Sequence, residues 1–124
     1  MSKKLPALRK CQLLQDIASR DGFEFKHIQE VFEKIQEEIK ELKEALDIGD
    51  IKQLKHELGD ILISVVELAR FLNLDAEECL ESANERFERR FGYLKDYAKS
   101  INRSISELSL EEIDRVWQQS KAFD

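Results

Sequence analysis

Residues 37–60 read EEIKELKEALDIGDIKQLKHELGD, and this stretch determines the architecture of the chain. On both sides of Gly49, apolar residues recur every three or four positions, which is the spacing of an amphipathic helix. Gly49 can end one helix and Asp50 can cap the next, so the connection between the two helices is very short. Because short connections join antiparallel neighbours, the stretch predicts a helical hairpin with its bend at Gly49.

Helix-start and helix-stop signals outside the hairpin predict three further helices. The predicted helices cover about 6–22, 27–48 and 51–72, followed by one that Asp75 and Glu78 open and a short one that Ser109 and Glu112 open, each as a capping box. No stretch alternates with a period of two residues, and no repeat or linker divides the sequence. The sequence therefore predicts one all-α domain, residues 1–124, built as a bundle of about five helices around the central antiparallel hairpin.

The second half of the predicted helix 51–72 is apolar on nearly every side. A helix of that kind is buried on most sides, either within its own domain or against another subunit. A chain of 124 residues cannot easily cover such a helix alone. We therefore predict a symmetric homodimer or a higher homo-oligomer.

Composition excludes several classes of protein. A formal net charge of −6 disfavours a dedicated DNA or RNA binder, which would need a basic surface. The longest apolar run, residues 61–72, is interrupted by charges and is shorter than the ~20 residues that a membrane-spanning helix needs. Residues 1–10 lack the apolar stretch of a signal peptide, and Cys11 and Cys79 match no metal or redox spacing. These features predict a cytoplasmic protein that does not enter a membrane.

Two acidic pairs lie symmetrically about the predicted bend. Glu38 and Glu41 are three residues apart, as are Glu57 and Asp60, so each pair occupies one face of its helix. Glu41 and Glu57 each lie eight positions from Gly49, and Glu38 and Asp60 each lie eleven. In an antiparallel hairpin the two pairs then stand at the same height, roughly 12–16 Å along the helices from the turn.

Four carboxylates at one helix interface repel each other. Two of them ~4 Å apart do so by about 4 kcal/mol at an effective dielectric constant near 20. The side chains must therefore turn out into water, take up protons or bind cations. Glu-rich helices often carry solvated charge, so surface acids remain one interpretation. The alternative is a site for a hard cation, Mg²⁺ or Mn²⁺, completed by phosphate oxygens and water.

The acidic spacing, with the sequence around it, resembles a known family. Glu38-x-x-Glu41 followed by Glu57-x-x-Asp60 is similar to the motif of all-α nucleoside triphosphate pyrophosphohydrolases. The flanking segments resemble the MazG branch, in particular the catalytic C-terminal half of the two-repeat MazG proteins. These segments are Leu5–Leu8, Gly22–Phe25, Leu58–Asp60, Leu68–Arg70, Asn84–Phe91 and Leu110–Asp114.

The resemblance implies a site, position by position. The implied magnesium ligands are Glu38, Glu41, Glu57 and Asp60. The implied nucleotide contacts are Lys34, Glu37, Gln53, His56, Arg86, Arg90 and Trp117. Glu38 is catalytic through the metal in this scheme, and Glu37, beside it, is a candidate general base that could equally orient the substrate. Gln53 stands where a basic residue is common in the family and His56 where an acid is common, which leaves the nucleotide preference open.

The implied reaction is hydrolysis of a nucleoside triphosphate to the monophosphate and pyrophosphate, with Mg²⁺ as cofactor. Two other functions stay open from the sequence. One is a relative restricted to dCTP or dUTP, or to phosphoribosyl-ATP. The other is a helical dimerisation or adaptor module without catalysis. The residues from the resemblance also have structural interpretations: Trp117 lies on an apolar helix face, and Arg86 with Arg90 could form an exposed basic edge.

Overall fold

The computed structural model describes residues 5–124, and most of them are helical. The α-helices are α1 Ala7–Arg20, α2 Ile28–Ile48, α3 Ile51–Phe71, α4 Ala76–Ser100 and α5 Leu110–Ser120. Two short 3-10 helices, Ile105–Glu107 and Lys121–Phe123, lie on either side of α5. No strand forms in the described range, so the predicted all-α class with five helices is confirmed. None of these helices is both long enough and apolar enough to cross a membrane.

Internal contacts group the chain into two compact units, Met1–Cys79 and Leu80–Asp124, and the boundary falls within α4 in sequence. In the first unit, α3 packs against both α1 and α2. The core of the second unit contains Leu94 and Ala98 of α4 with Leu108 and Val116. The single domain over residues 1–124 stays a prediction.

The α2–α3 hairpin bends at Gly49, as predicted. Gly49 adopts a left-handed conformation with φ of +78°, which its missing side chain permits, and its N–H donates to the Ala45 carbonyl at 3.0 Å. The Asp50 carboxylate then accepts a hydrogen bond from the Lys52 N–H at 2.9 Å, which caps α3. Only two residues therefore separate the helices, and α3 returns directly along α2.

A second left-handed glycine shapes the connection between α1 and α2. Helix α1 ends at Arg20, and Gly22 takes a φ of +89°. The chain reverses there, and the Phe23 N–H donates to the Ala18 carbonyl at 3.1 Å. This turn directs the Phe23 side chain out of the fold, where 82% of its surface is exposed.

Helix α3 leaves an apolar stripe exposed along its whole length. Its buried positions are Glu57, Ser64 and Val66. Exposed apolar side chains follow another face at spacings of seven, four, three and seven residues, which keeps them on one side of the helix. These residues, the α3 stripe, are Ile51, Leu58, Leu62, Val65 and Leu72. The chain by itself therefore covers only part of this apolar helix.

Helix α5 begins with the predicted capping box. The Ser109 hydroxyl accepts from the Glu112 N–H at 3.1 Å, and the Glu112 carboxylate accepts from the Ser109 N–H at 3.2 Å. Ser109→Ala removes the first bond, so we expect the free energy of unfolding to fall by about 1 kcal/mol in urea denaturation. Ser109→Asp is the matched control because it retains a capping oxygen. An equal loss in both variants would contradict this role for the Ser109 hydroxyl.

Candidate metal and nucleotide site

Three carboxylates from the facing helices meet in the hairpin. Glu38 and Glu41 of α2 and Glu57 of α3 each offer an oxygen, and these oxygens all lie within 4.8 Å of one another. Glu38 and Glu57 are buried, with 4% and 6% of their surface exposed. The hairpin therefore gathers three of the four predicted acids into one group, hereafter the acidic cluster, and withdraws two of them from water.

Each buried acid of the cluster has one satisfied oxygen and one that lacks a donor. Glu38 Oε1 lies 2.8 Å from the Lys34 ammonium, and Glu57 Oε1 accepts from the Gln53 amide at 3.3 Å. Among residues 5–124 no group donates to Glu38 Oε2 or to Glu57 Oε2, and both oxygens are buried. An ionised carboxylate buried in this way is costly unless a cation or a proton reaches it. An all-oxygen set of donors suits a hard divalent cation, so the residues present fit Mg²⁺.

The electrostatics of the cluster are consistent with this shortage of positive charge. The pKa of Glu41 is raised, first by its partial removal from water, then by the charge of Glu38 and by the nearness of Glu57. A protonated Glu41 would donate a hydrogen bond to Glu57. The pKa of Lys34 is also raised, chiefly by its hydrogen bond with Glu38. The cluster thus holds either a proton or a cation more readily than isolated glutamates would.

Asp60, the fourth predicted ligand, is not part of this group of three. Its carboxylate lies 3.3 Å from His56 Nε2, one turn back along α3, and it is partly exposed. The spacing of the sequence fixes which helix face Asp60 occupies, but not which of its neighbours the side chain contacts. Its role as a ligand therefore stays a prediction.

The predicted nucleotide contacts of the first unit surround the cluster. Lys34 binds Glu38, Gln53 binds Glu57 and His56 lies against Asp60. Glu37 is exposed beside Glu38. Three of these four side chains thus lie against a predicted metal ligand. In this arrangement Lys34 and Gln53 orient buried carboxylates, which the sequence pattern did not indicate.

The predicted contacts of the second unit have partners within that unit. Arg86 donates to the Ser82 hydroxyl at 2.9 Å, and Arg90 forms an ion pair with Asp124, with Nε to Oδ2 at 2.9 Å. The Trp117 ring packs on Phe87, with 5.5 Å between ring centroids, and lies against the core of the unit. Trp117 thus takes part in packing, as its apolar helix face indicated. Asp124 was not predicted, because a lone acid distant in sequence carries no pattern.

Residues 26–93 match the family described as the MazG nucleotide pyrophosphohydrolase domain. The chain belongs to this family. The resemblance predicted from the acidic spacing and its flanking segments is confirmed. The matched MazG region contains the entire acidic cluster, Asp60, Arg86 and Arg90, whereas Trp117 lies beyond it.

Curated relatives extend the similarity over nearly the whole chain. The nucleoside triphosphate pyrophosphohydrolase/pyrophosphatase MazG of Thermotoga maritima is 40% identical over 120 residues, which is 97% of this chain and 46% of that protein. The nucleoside triphosphate pyrophosphohydrolase of Escherichia coli strain K12 is 37% identical over 121 residues, which is 96% of this chain and 46% of that protein. The uncharacterized protein YabN of Bacillus subtilis is 41% identical over 68 residues, 55% of this chain and 14% of that protein. The chain thus spans just under half the length of the Thermotoga maritima and Escherichia coli relatives.

Proposed function

We propose that the chain is a magnesium-dependent nucleoside triphosphate pyrophosphohydrolase, with Mn²⁺ as a substitute metal, acting in the cytoplasm. The observation that carries the proposal is a pair of buried glutamate oxygens in a MazG domain, Glu38 Oε2 and Glu57 Oε2, to which no group of residues 5–124 donates. Buried carboxylates of this kind are rarely maintained for stability alone, because their repulsion and desolvation both disfavour folding. A divalent cation compensates for both costs and gives the arrangement a use.

In the proposed site, Glu38, Glu41 and Glu57 would hold the metal, with Asp60 as a fourth ligand. Bound Mg²⁺ supplies charge neutralisation of the phosphate chain and lowers the pKa of an attacking water. Lys34 and Gln53 keep the buried carboxylates oriented, each through the Oε1 oxygen of its partner. Asp60 would join them through a carboxylate oxygen, and His56, which is exposed beside it, can face the nucleotide.

The proposed reaction uses groups of the chain for proton transfer and phosphate binding. The water oxygen bonds to the α-phosphorus, the bond from that phosphorus to the bridging oxygen breaks, and pyrophosphate leaves. Glu37, which is exposed next to Glu38, is the candidate acceptor of the proton of the water. For Arg86 and Arg90, one turn apart on α4 in the second unit, the MazG resemblance alone suggests contacts with phosphate oxygens.

The test is hydrolysis of a panel of nucleoside and deoxynucleoside triphosphates with Mg²⁺ in water enriched in ¹⁸O. Monophosphate and pyrophosphate are the expected products, with the label in the monophosphate because attack occurs at the α-phosphorus. Release of orthophosphate, or label in the pyrophosphate, would contradict the proposal. Including dCTP, dUTP and phosphoribosyl-ATP in the panel separates a broad enzyme from a relative that is restricted to one of these compounds.

The α3 stripe supports a homodimer or a higher homo-oligomer. Leu62 lies at the middle of the stripe and is half exposed. If two copies bury this stripe together, Leu62→Glu places a charge in an apolar interface and should convert the oligomer to monomer at micromolar concentration in light scattering. Leu110→Glu, the same change at an exposed site of α5, should leave the mass unchanged. A wild-type protein that is monomeric at that concentration would refute the dimer.

The dimer alone does not establish catalysis, because a helical dimerisation module would also expose such a stripe. The two functions differ in their response to metal. In scanning calorimetry, adding Mg²⁺ and a non-hydrolysable triphosphate should raise the melting temperature if the chain is the enzyme. The same addition should leave the melting temperature of a non-catalytic module unchanged.

A further inference from the structure

Each buried carboxylate of the acidic cluster is held by a side chain that lies one helical turn before it. The Lys34 ammonium lies 2.8 Å from Glu38 Oε1, and the Gln53 amide nitrogen donates to Glu57 Oε1 at 3.3 Å. Both pairs are four residues apart, a spacing that brings two side chains together on one face of a helix. An ionised carboxylate can only accept, so the bond also fixes which end of the Gln53 amide meets Glu57.

The two holding groups differ in charge. Lys34 supplies a positive charge to Glu38, whereas Gln53 supplies a hydrogen bond and no charge to Glu57. Among residues 5–124, Lys34 is the only basic side chain that forms an ion pair with a member of the acidic cluster. With its three glutamates ionised, the cluster therefore keeps two negative charges that the described chain does not pair, and the charge of a divalent cation equals that deficit.

Glu57 is the buried acid whose charge is left unpaired. Only 6% of its surface is exposed, and its second oxygen, Oε2, is buried and receives no hydrogen bond from any of residues 5–124. A buried ionised oxygen without a donor is costly. Because Gln53 fixes this side chain without neutralising it, the negative charge of Glu57 remains available to a cation.

A positive charge at position 53 would change this balance. A lysine there could reach Glu57 across the same helical turn, as Lys34 reaches Glu38. Its ammonium would stabilise the metal-free cluster, and it would also repel a divalent ion bound to the same carboxylate. The residue at position 53 thus controls how much of the negative charge the chain itself has already compensated.

From these contacts we infer that Gln53 is a positioning residue that sets the metal affinity of the site. Its amide holds Glu57 for the metal, and its neutrality leaves the attraction between Glu57 and the ion undiminished. The inference rests on the proposed function for the identity of the ion. It deepens that function, because Gln53 acts on the metal through Glu57, whereas the family resemblance implied a contact with the nucleotide.

Gln53→Lys keeps a donor at this position and adds a positive charge. Titration calorimetry with Mn²⁺ and no nucleotide should give a dissociation constant about tenfold higher than that of wild type, because the ammonium repels the ion. In a chelator the melting temperature of the variant should rise, since the ammonium then pairs with Glu57. Gln29→Lys is the matched control, because Gln29 is exposed on α2 outside the acidic cluster and gains the same charge. Its Mn²⁺ affinity should equal that of wild type.

Gln53→Met removes the hydrogen bond and adds no charge. Its dissociation constant for Mn²⁺ should also rise about tenfold, because Glu57 is no longer held in place. Its melting temperature in the chelator should fall, in contrast to that of Gln53→Lys, since both oxygens of Glu57 then lack a donor. Gln53 is itself exposed, so both variants should keep the circular dichroism of wild type.

Metal binding without nucleotide separates this role from a direct contact with the nucleotide. A nucleotide contact predicts that both variants bind Mn²⁺ as wild type does and that the change is confined to KM for the triphosphate. That result would overturn the inference. An Mn²⁺ affinity equal to wild type in Gln53→Met alone would also overturn it, because the hydrogen bond would then position nothing.

Failure of the proposed function gives a different result. Mn²⁺ binding requires no turnover, so weaker binding in both variants supports the role of Gln53 even if wild type hydrolyses no triphosphate. Hydrolysis by wild type together with unchanged Mn²⁺ affinity in both variants supports the proposed function and refutes the role of Gln53.

Discussion

Glu38→Gln is expected to lower kcat for nucleoside triphosphate hydrolysis at least about a thousandfold while the chain stays folded. Glutamine has the shape of glutamate and keeps an oxygen for the Lys34 ammonium, which lies 2.8 Å from Glu38 Oε1. What it removes is the negative charge of a buried ligand whose second oxygen has no protein donor within residues 5–124. The loss should therefore appear in turnover and in metal affinity, and not in circular dichroism.

Glu44→Gln is the control for this experiment. Glu44 lies on the same helix, is exposed and is outside the acidic cluster, so the substitution removes an equal charge without touching the site. Its turnover should match that of wild type. Turnover by Glu38→Gln within about threefold of wild type would refute the metal site and, with it, the proposed mechanism.

Glu57→Gln should make the metal-free protein more stable and at the same time insensitive to metal. Oxygens of Glu57, Glu38 and Glu41 lie within 4.8 Å of one another, so removing one charge relieves repulsion on the order of 1 kcal/mol after solvent screening. Wild type should gain about 2.7 kcal/mol when Mg²⁺ is present at a hundred times its dissociation constant. The variant should gain almost nothing.

Urea denaturation with a chelator and with Mg²⁺ measures both differences in one series. The unfolding free energy of Glu57→Gln should thus exceed that of wild type in the chelator and fall below it in Mg²⁺. This reversal is expected of metal ligands whose charges repel one another when the ion is absent. A neutral surface substitution cannot produce this reversal, and Glu44→Gln should show neither effect. A Glu57→Gln protein that is less stable than wild type in the chelator would mean that the carboxylate stabilises the fold by itself.

The hairpin was predictable because local signals determine it. Gly49 and Asp50 end and begin helices through their own backbone and side-chain chemistry, and the equal spacing of the acids follows from a constant rise per residue. The sequence therefore predicted that Glu38, Glu41 and Glu57 lie together, and in the structure one carboxylate oxygen of each lies within 4.8 Å of the others. The α1–α3 boundaries also agree with prediction to within about two residues, the usual scatter of helix ends.

The remaining features are not determined by the helical spacing of apolar residues. The pairing of Asp60 with His56 is a choice among side-chain conformers at one helix position. The short 3-10 helices around α5 have no hydrophobic period of their own. Side-chain conformers and packing decide these features, and only the MazG resemblance suggested roles for some of the residues involved.

The two-residue bend between α2 and α3 also limits which changes in chain length the fold can absorb. Gly49 is needed for its left-handed φ and Asp50 for its cap of α3. An added residue would therefore disturb one of the two helix ends. One residue inserted at the start of α3 would turn the rest of that helix by about 100° and advance it by about 1.5 Å, carrying Glu57 away from Glu38. Insertions and deletions should therefore be rare at this bend. The segment between α1 and α2 has several residues outside helices and can vary more freely.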